Sequence, residues 1–346
     1  MELEQLHNGN KSFFTGFAES RTGGRSENQD SYGFIETERG VLITVCDGMG
    51  GGPGGKTAST IAVKEILEGF TIASEDEENT NIVIKAIRRA NMAIIEAANE
   101  TPELRGMGST ATVLLLTDYS AIAAHVGDSR IYQLRGKRKI FRTFDHSLVF
   151  DLVKEKVITE EQARLSANSN VITRALGQKP DVEVDIQELS YEQGDRFVLC
   201  SDGIHGTMPE RELLKMLTSR KSVGAVADNI ATFVDNQGRL NGGSHDNLTI
   251  AVLEMNIKSK LRPTMSKQIK SLIVVMAVIC IISIVLNVLQ AANRGNSDQV
   301  IAGKDSVILN YQKGETAKEN AIRELNDSIS RLNLKIERAK KELNNN

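Results

Sequence analysis

Tryptophan is absent, and aromatic residues make up only 4% of the chain. That is too few for the stacked platforms on which single-stranded nucleic acids are held. Positive charge is not in excess either: 42 Lys and Arg stand against 45 Asp and Glu, a net charge of −3. The basic footprint of a nucleic-acid-binding protein is therefore missing, and no nucleic acid is expected as a partner. Cysteine is scarce. Cys46, Cys200 and Cys280 lie far apart without a CxxC pair, which argues against a zinc site and a disulfide framework. Cys46 and Cys200 sit in apolar runs and read as buried, reduced thiols. Residues 1–12 are polar and contain no apolar stretch, so no secretory signal is expected.

What is present suffices for a packed core: 40% of the 346 residues are hydrophobic against 25% charged. Such a length suggests roughly two domains, and one large domain with an appendage fits as well. Hydrophobicity rises abruptly near residue 271. From Leu272 to Leu289 the chain carries no charge and is broken only by Ser283 and Asn287. As a helix this run is roughly 27 Å long, close to the hydrocarbon thickness of a bilayer, and it lacks the polar stripe of a soluble core helix. A membrane-spanning helix is expected at 271–290. Before it, at 258–270, stand Lys258, Lys260, Arg262, Lys267 and Lys270; after it, Arg294 and Lys304 are offset by Asp298 and Asp305. The positive-inside rule then puts the N-terminal domain, 1–257, in the cytoplasm and the C-terminus outside a cell membrane crossed once. Residues 291–313 read as a linker. In 314–346, Ile322, Leu325, Ile329, Leu332, Ile336, Ala339 and Leu343 alternate steps of three and four. This heptad seam favours a parallel two-stranded coiled coil and hence a homodimer; a lone amphipathic helix packing on another protein is the alternative.

Within 1–257, strand-like runs occur at 40–46, 111–116, 121–126, 196–200 and 248–253, and helix-like runs at 57–69, 81–100, 147–156 and 210–218. The strands come in neighbouring groups, which points to an α+β fold with antiparallel sheets. Aspartates mark the ends of these strands. Asp47-Gly48 and Asp202-Gly203 follow apolar strands, Asp128 follows 121–126, Asp246 precedes 248–253, and Asp30 precedes Tyr32. One Asp-Gly is a common turn, but five such edges in one domain suggest carboxylates that converge. Converging carboxylates repel one another and bind cations, and oxygen-only ligation suits Mg²⁺ or Mn²⁺. Two such ions about 3.5–4 Å apart share a water, lower its pKa and clamp an in-line displacement at phosphorus. Gly50–Thr57 offers a competing reading, because it matches GxxxxGK[ST], the phosphate-cradling loop of an NTPase. Against it, Asp47 and Gly48 intervene between strand and loop, and the other Asp-bearing edges would go unexplained. The five histidines, His7, His125, His146, His205 and His245, read as structural or solvated, and Ser109 lacks the histidine partner of a nucleophile.

Eight segments in order resemble the bacterial form of the type 2C, metal-dependent protein serine/threonine phosphatases. They are Arg25–Asp30, Asp47–Gly51, Gly108–Ala111, Gly127–Arg130, Asp145–Leu148, Arg174–Gly177, Ser201–Gly203 and Asp246–Thr249, covering residues 13–255. The resemblance implies a β-sandwich of two antiparallel sheets with helices on both outer faces. It implies hydrolysis of phosphoserine and phosphothreonine in protein substrates by a water shared between two Mn²⁺ or Mg²⁺ ions. Asp47 would bridge the two ions, the Gly48 carbonyl would join it, and Asp202 and Asp246 would bind one of them. Asp30 would act through metal-bound water, and Asp128 with Asp202 would hold a third ion. Arg25 would grip the phosphate, which suits its planar fork of donors. Residues 147–180 would form a mobile flap. The chain departs from the pattern at Gln29, where a Glu is usual, and at Gly52–Lys56, where His and Glu are usual. Met49 stands where eukaryotic relatives carry a histidine acid, so the leaving group would take its proton from metal-bound water. Gln29 and the rebuilt glycine loop motivate an alternative, a phosphatase-like scaffold with little turnover.

Overall fold

The structure, a computed structural model, describes residues 4–6, 13–50, 53–260, 276, 281–287 and 304–344. The chain forms two compact units, Met1–Pro263 and Thr264–Asn346. In the first, the strands are β1 (Glu4–Gln5), β2 (Phe14–Arg21), β3 (Asp30–Thr37), β4 (Gly40–Met49), β5 (Gly108–Ser109), β6 (Ala111–Leu116), β7 (Ala121–Val126), β8 (Arg130–Arg135), β9 (Arg138–Arg142), β10 (Asp185–Leu189), β11 (Arg196–Cys200) and β12 (Leu248–Met255). The helices are α1 (Pro53–Thr71), α2 (Asn79–Glu100), α3 (Leu148–Lys154), α4 (Glu160–Arg164), α5 (Asp202–His205), α6 (Glu210–Leu217) and α7 (Val223–Leu240).

One sheet has the order β1-β2-β12-β11-β8-β9 and the other β10-β7-β6-β4-β3, with β5 on the end of β4. The strand pairings in both sheets are antiparallel. Strand period explains the layers. Along β4, Val41, Ile43 and Val45 point between the sheets while Leu42 and Cys46 point out under α1 and α2. Along β12, Ala251 and Leu253 point inward while Ile250 and Val252 meet α6 and α7. Both faces of each central strand are thus covered, which is why these strands read as continuous apolar runs rather than as alternation. The expected α+β sandwich with helices on both faces is present. Cys46 and Cys200 are buried free thiols, pushed up to about 12 by burial and chemically quiet.

Between β9 and β10 the chain builds a small outlying layer. Ser147 caps α3 by accepting from Phe150 N, Thr159 and Gln162 form a reciprocal cap on α4, and Val149, Phe150 and Ala163 make a core of their own. This is the segment expected as a flap.

Among the described residues no helix is long and apolar enough to cross a membrane. Most of the expected span 271–290 lies outside the described residues; 276 and 281–287 are helical and exposed. In the second unit, α8 (Lys304–Asn344) is one helix of 41 residues. It begins inside the segment expected as a linker, so 304–313 are helical, while 291–303 lie outside the described residues.

A carboxylate-floored cleft at one end of the sandwich

Asp30 and Asp47 are direct partners across the β3–β4 ladder, so their side chains share one face. β4 does not stop at Asp47 as expected. It runs two residues further, because Gly48 and Met49 pair with Ser109 and Gly108 of β5. Asp47 is fixed at its main chain: its N–H donates to Thr110 Oγ1 (2.9 Å), and its carbonyl accepts from Thr110 N (2.8 Å) and Ser109 Oγ (3.0 Å). The Ser109 hydroxyl is thereby a buried brace rather than a nucleophile.

The other sheet supplies Asp202 and Asp246, and Asp128 lies in the turn that joins β7 to β8. Ser201, at the end of β11, donates from Oγ to Asp30 Oδ2 (2.8 Å) and accepts from Thr249 N (3.0 Å), so it ties the two sheets together above the core. Asp202 follows it as the first residue of α5. Gly203 packs so closely on the Asn247 carbonyl that a Cβ would collide with it, and this approach brings Asp202 beside Asp246. Asn247 accepts from Gln29 N (2.9 Å) and donates to Thr22 O (2.7 Å) and Glu27 O (2.9 Å). It thereby pins the loop that carries Arg25. The cleft over these groups is about 430 Å³, lined by Arg25, Gln29, Asp47, Gly48, Asp202 and Asp246, with Asn170 and Ile172 reaching in from the outlying layer. A side pocket of about 110 Å³ joins Asp202 to Asp128 and to the buried Arg130–Asp145 pair. That pair is a two-bond fork (2.7 Å each), with the Arg130 guanidinium 4.9 Å from the Phe150 ring. A larger hollow of about 570 Å³, lined by Glu36, Glu38, Glu75, Glu78 and Asp118, contains none of these residues and would repel a phosphate.

The floor is electrostatically overloaded. Burial pushes Asp30 up to about 7 against hydrogen bonds from Thr249 and Ser201, and the charges of Asp202 and Asp246 add to the rise. Asp202 is pushed up to about 6 by burial and then by Asp246. Asp47 and Asp128 are raised well above the ordinary carboxylate range, by burial and then by their neighbouring aspartates. Asp30 Oδ1, Asp128 Oδ1 and Asp202 Oδ1 are buried without a hydrogen-bond partner. Hard oxygen donors in mutual repulsion, with lone pairs aimed at nothing, fit divalent cations of the Mg²⁺ or Mn²⁺ kind. Arg25 is the cation at the rim: its Nε and Nη2 lie 3.1 and 3.0 Å from Asp246 Oδ1 and Oδ2.

The reading of Gly50–Thr57 as a nucleotide loop has little support from its described residues, since Gly51 and Gly52 lie outside them. α1 already starts at Pro53, and Lys56 Nζ is bonded to Asp30 O (2.9 Å) and Ser31 Oγ (3.1 Å). No parallel strand feeds it. Three histidines, expected only as structural or solvated, brace the site. His205 Nε2 donates to Asp128 O (3.0 Å), His146 Nδ1 accepts from Gly127 N (3.1 Å), and His125 Nε2 donates to Phe144 O (2.8 Å). His245 turns away from Asp246 to Asp235 (2.9 Å), although both residues precede β12 and are not on a strand; His7 lies outside the described residues. His125, His146 and Asp185 have ligand-capable atoms within 4.8 Å of one another. Arg174 Nη1 already sits there as the cation, 2.7 Å from Asp185 Oδ1. The same Nη1 lies 3.1 Å from His146 Nε2, so a guanidinium fills the place a metal ion would take and this trio is a clasp.

Fold and cleft together are those of a metal-dependent phosphoryl hydrolase. Residues 19–242 match the family model for protein phosphatase 2C. A serine/threonine phosphatase of Listeria innocua, stp, is 32% identical over 242 residues, 69% of this chain and 94% of that protein. The solved serine/threonine phosphatase of S. agalactiae is 31% identical with a TM-score of 0.63, covering 70% of this chain and 100% of that one. The catalytic domain of the phosphatase PstP, solved with two manganese ions, is 31% identical with a TM-score of 0.58, covering 70% of this chain and 97% of that one. The chain belongs to the protein phosphatase 2C family and is a serine/threonine protein phosphatase that uses Mn²⁺ or Mg²⁺.

Proposed function

We propose that Asp47, the Gly48 carbonyl, Asp202 and Asp246 hold two divalent cations, with Asp30 behind them and Asp128, together with Asp202, at a third. The supporting observation is the unpaired buried oxygen on each of Asp30, Asp128 and Asp202. Bound cations of this kind activate water and offset charge on phosphoryl oxygens. The chain's own residues do the rest. Arg25 presents two donors on one side of its guanidinium, the geometry that grips two phosphoryl oxygens of phosphoserine or phosphothreonine. Thr110, Ser109, Ser201 and Asn247 keep the carboxylates and the Arg25 loop from drifting. The full chain should hydrolyse a phosphothreonine peptide with Mn²⁺ and stop with EDTA. Asp47→Asn or Asp246→Asn should lower activity at least ~10²-fold. Full activity in EDTA overturns the metal mechanism. The scaffold reading rests on Gln29 and the rebuilt glycine loop, yet every carboxylate assigned to the cations is retained; tight Mn²⁺ binding without turnover would favour it.

We also propose that the catalytic unit, 1–257, is held on the cytoplasmic face of a cell membrane by a span at 271–290. Ile281, Ile282, Ile284, Val285 and Leu286 are each 50–62% exposed on a helical segment, an arrangement that water does not favour. Release of the chain from membranes by carbonate at high pH would oppose it. Along α8, Ile322, Leu325, Ile329, Leu332 and Ile336 form a stripe, each 45–62% exposed. Pairing with a second copy covers such a stripe, and a monomer by sedimentation in detergent would refute the dimer.

A further inference from the structure

His146 is 4% exposed, and the phosphatase reaction gives it no task. It grips a single residue from two directions. Its N–H donates to Gly127 O (2.9 Å), and its Nδ1 accepts from Gly127 N (3.1 Å). Gly127 has little room to shift, with φ at +103° and a position where a Cβ would stand 2.7 Å from Thr110 Cγ2. The next residue is Asp128, whose carbonyl is held from elsewhere by His205 and whose Oδ1 is buried and unpaired. The far side of the His146 ring belongs to the outlying layer. Nε2 lies 3.1 Å from Arg174 Nη1 and 3.4 Å from Asp185 Oδ2, Asp185 Oδ1 takes the same Nη1 at 2.7 Å, and Thr173 N donates to His146 O at 2.8 Å. The ring is stacked on His125, with centroids 4.4 Å apart. One imidazole therefore joins the returning end of the flap to the peptide that carries Asp128.

Resting on the reading of Asp128 as a cation ligand, we propose that His146 is a positioning residue: it sets Asp128 for divalent-cation binding and couples that setting to the flap stem at Thr173–Arg174. Groups that hold a ligand's carrier in place influence affinity as ligands do. Two substitutions separate the ends of the ring, because Asn offers an acceptor near the Nδ1 position and Gln a donor near Nε2. The probe is Mn²⁺ alone, titrated into the full chain by calorimetry, with amide hydrogen exchange at Gly127 as a second readout. Asp128→Asn should remove one binding event. His146→Gln should weaken that same event about 10-fold and speed exchange at Gly127, whereas His146→Asn should leave both near wild type. Wild-type affinity in His146→Gln, while Asp128→Asn still loses its event, overturns the proposal alone. Equal weakening in both His146 variants overturns it as well, since a general packing defect would do that. Unchanged Mn²⁺ binding in Asp128→Asn removes the ligand reading first, and the proposal with it. If His146→Gln does not fold, His146→Ala also removes the Nδ1 acceptor from Gly127 N. Weaker Mn²⁺ binding at the Asp128 event in that variant, with His146→Asn still near wild type, then supports the proposal, and unchanged affinity overturns it.

Discussion

Replacing Arg25 with Ala should separate phosphate grip from stability. Arg25 is 54% exposed at its side chain and pairs with Asp246, itself 45% exposed. A pair so open to water contributes about 0–1 kcal/mol to folding, and 1 kcal/mol moves the melting point of a domain of this size by about 2–4 °C. The transition state is a different matter. Two parallel charge-assisted bonds to the phosphoryl group would be lost, and removing one preorganised donor at a developing anion already costs about 3–4 kcal/mol. The expected result is a drop in kcat/KM of about 10²- to 10³-fold with a melting point nearly unmoved. Lys keeps the charge but not the fork. It should recover part of the rate and remain about tenfold below wild type, the loss of one bond to a charged group. The assay is hydrolysis of a phosphothreonine peptide at saturating Mn²⁺, beside thermal unfolding of the same preparations. A value for the Ala variant within about threefold of wild type would refute the role given to Arg25. So would a rate loss that merely tracks loss of folded protein.

Gly48→Ala should be damaging despite its small size, because a Cβ there collides with the Gly55 carbonyl and pushes the start of α1 away from Asp47. A displacement near 1 Å costs about 10²-fold in rate, and steady-state kinetics with normal turnover would contradict this. Asp195 is fully buried and receives Arg135 through Nε and Nη2 (2.8 and 2.7 Å) and Gln133 through Nε2 (2.9 Å). Asp195→Asn should cost about 3 kcal/mol in denaturant titration and leave the activity per folded molecule intact. His125 is pushed down to about 4, from an ordinary 6.5, by burial and then by His146. Its unfolded form therefore takes up a proton that the folded form refuses. Stability is complete above pH 6.5 and falls by up to about 3 kcal/mol as pH drops toward 4. His125→Gln, which keeps a donor for the Phe144 carbonyl, should flatten that slope in urea titrations between pH 7 and pH 4.

Strands buried on both faces were the most legible elements: β6, β7 and β11 occupy the segments expected of them. β2 and α7 were not legible. In β2, Phe14, Gly16 and Ala18 share the strand with Thr15, Glu19 and Ser20, and Glu19 is buried only because Arg21 accompanies it. In α7, Asp235 is buried among apolar positions because Arg239 and His245 hydrogen-bond to its carboxylate. Local patterns hide polar groups whose partners are distant. The end of β4 was missed for a related reason, since Gly48 pairs with Ser109 through main chain alone and carries no hydrophobic signal. The convergence of the aspartates was legible because strand ends announce it. The bracing role of His146 was not, because its partners Gly127 and Asp185 meet it only once β7 and β10 pair, with Asp185 opposite His125.

β12 lies between β2 and β11, joining residues 14–21 to residues 248–255. The strand that completes the first sheet is therefore the last of the catalytic unit to leave the ribosome, and Asp246 leaves just ahead of it. Until then β2 has no neighbour on its inner side, and Asn247 is absent from the loop that carries Arg25. On the roles proposed for Asp246 and Arg25, a nascent chain is silent as an enzyme through nearly all of its domain's synthesis, and activity begins as a single late event.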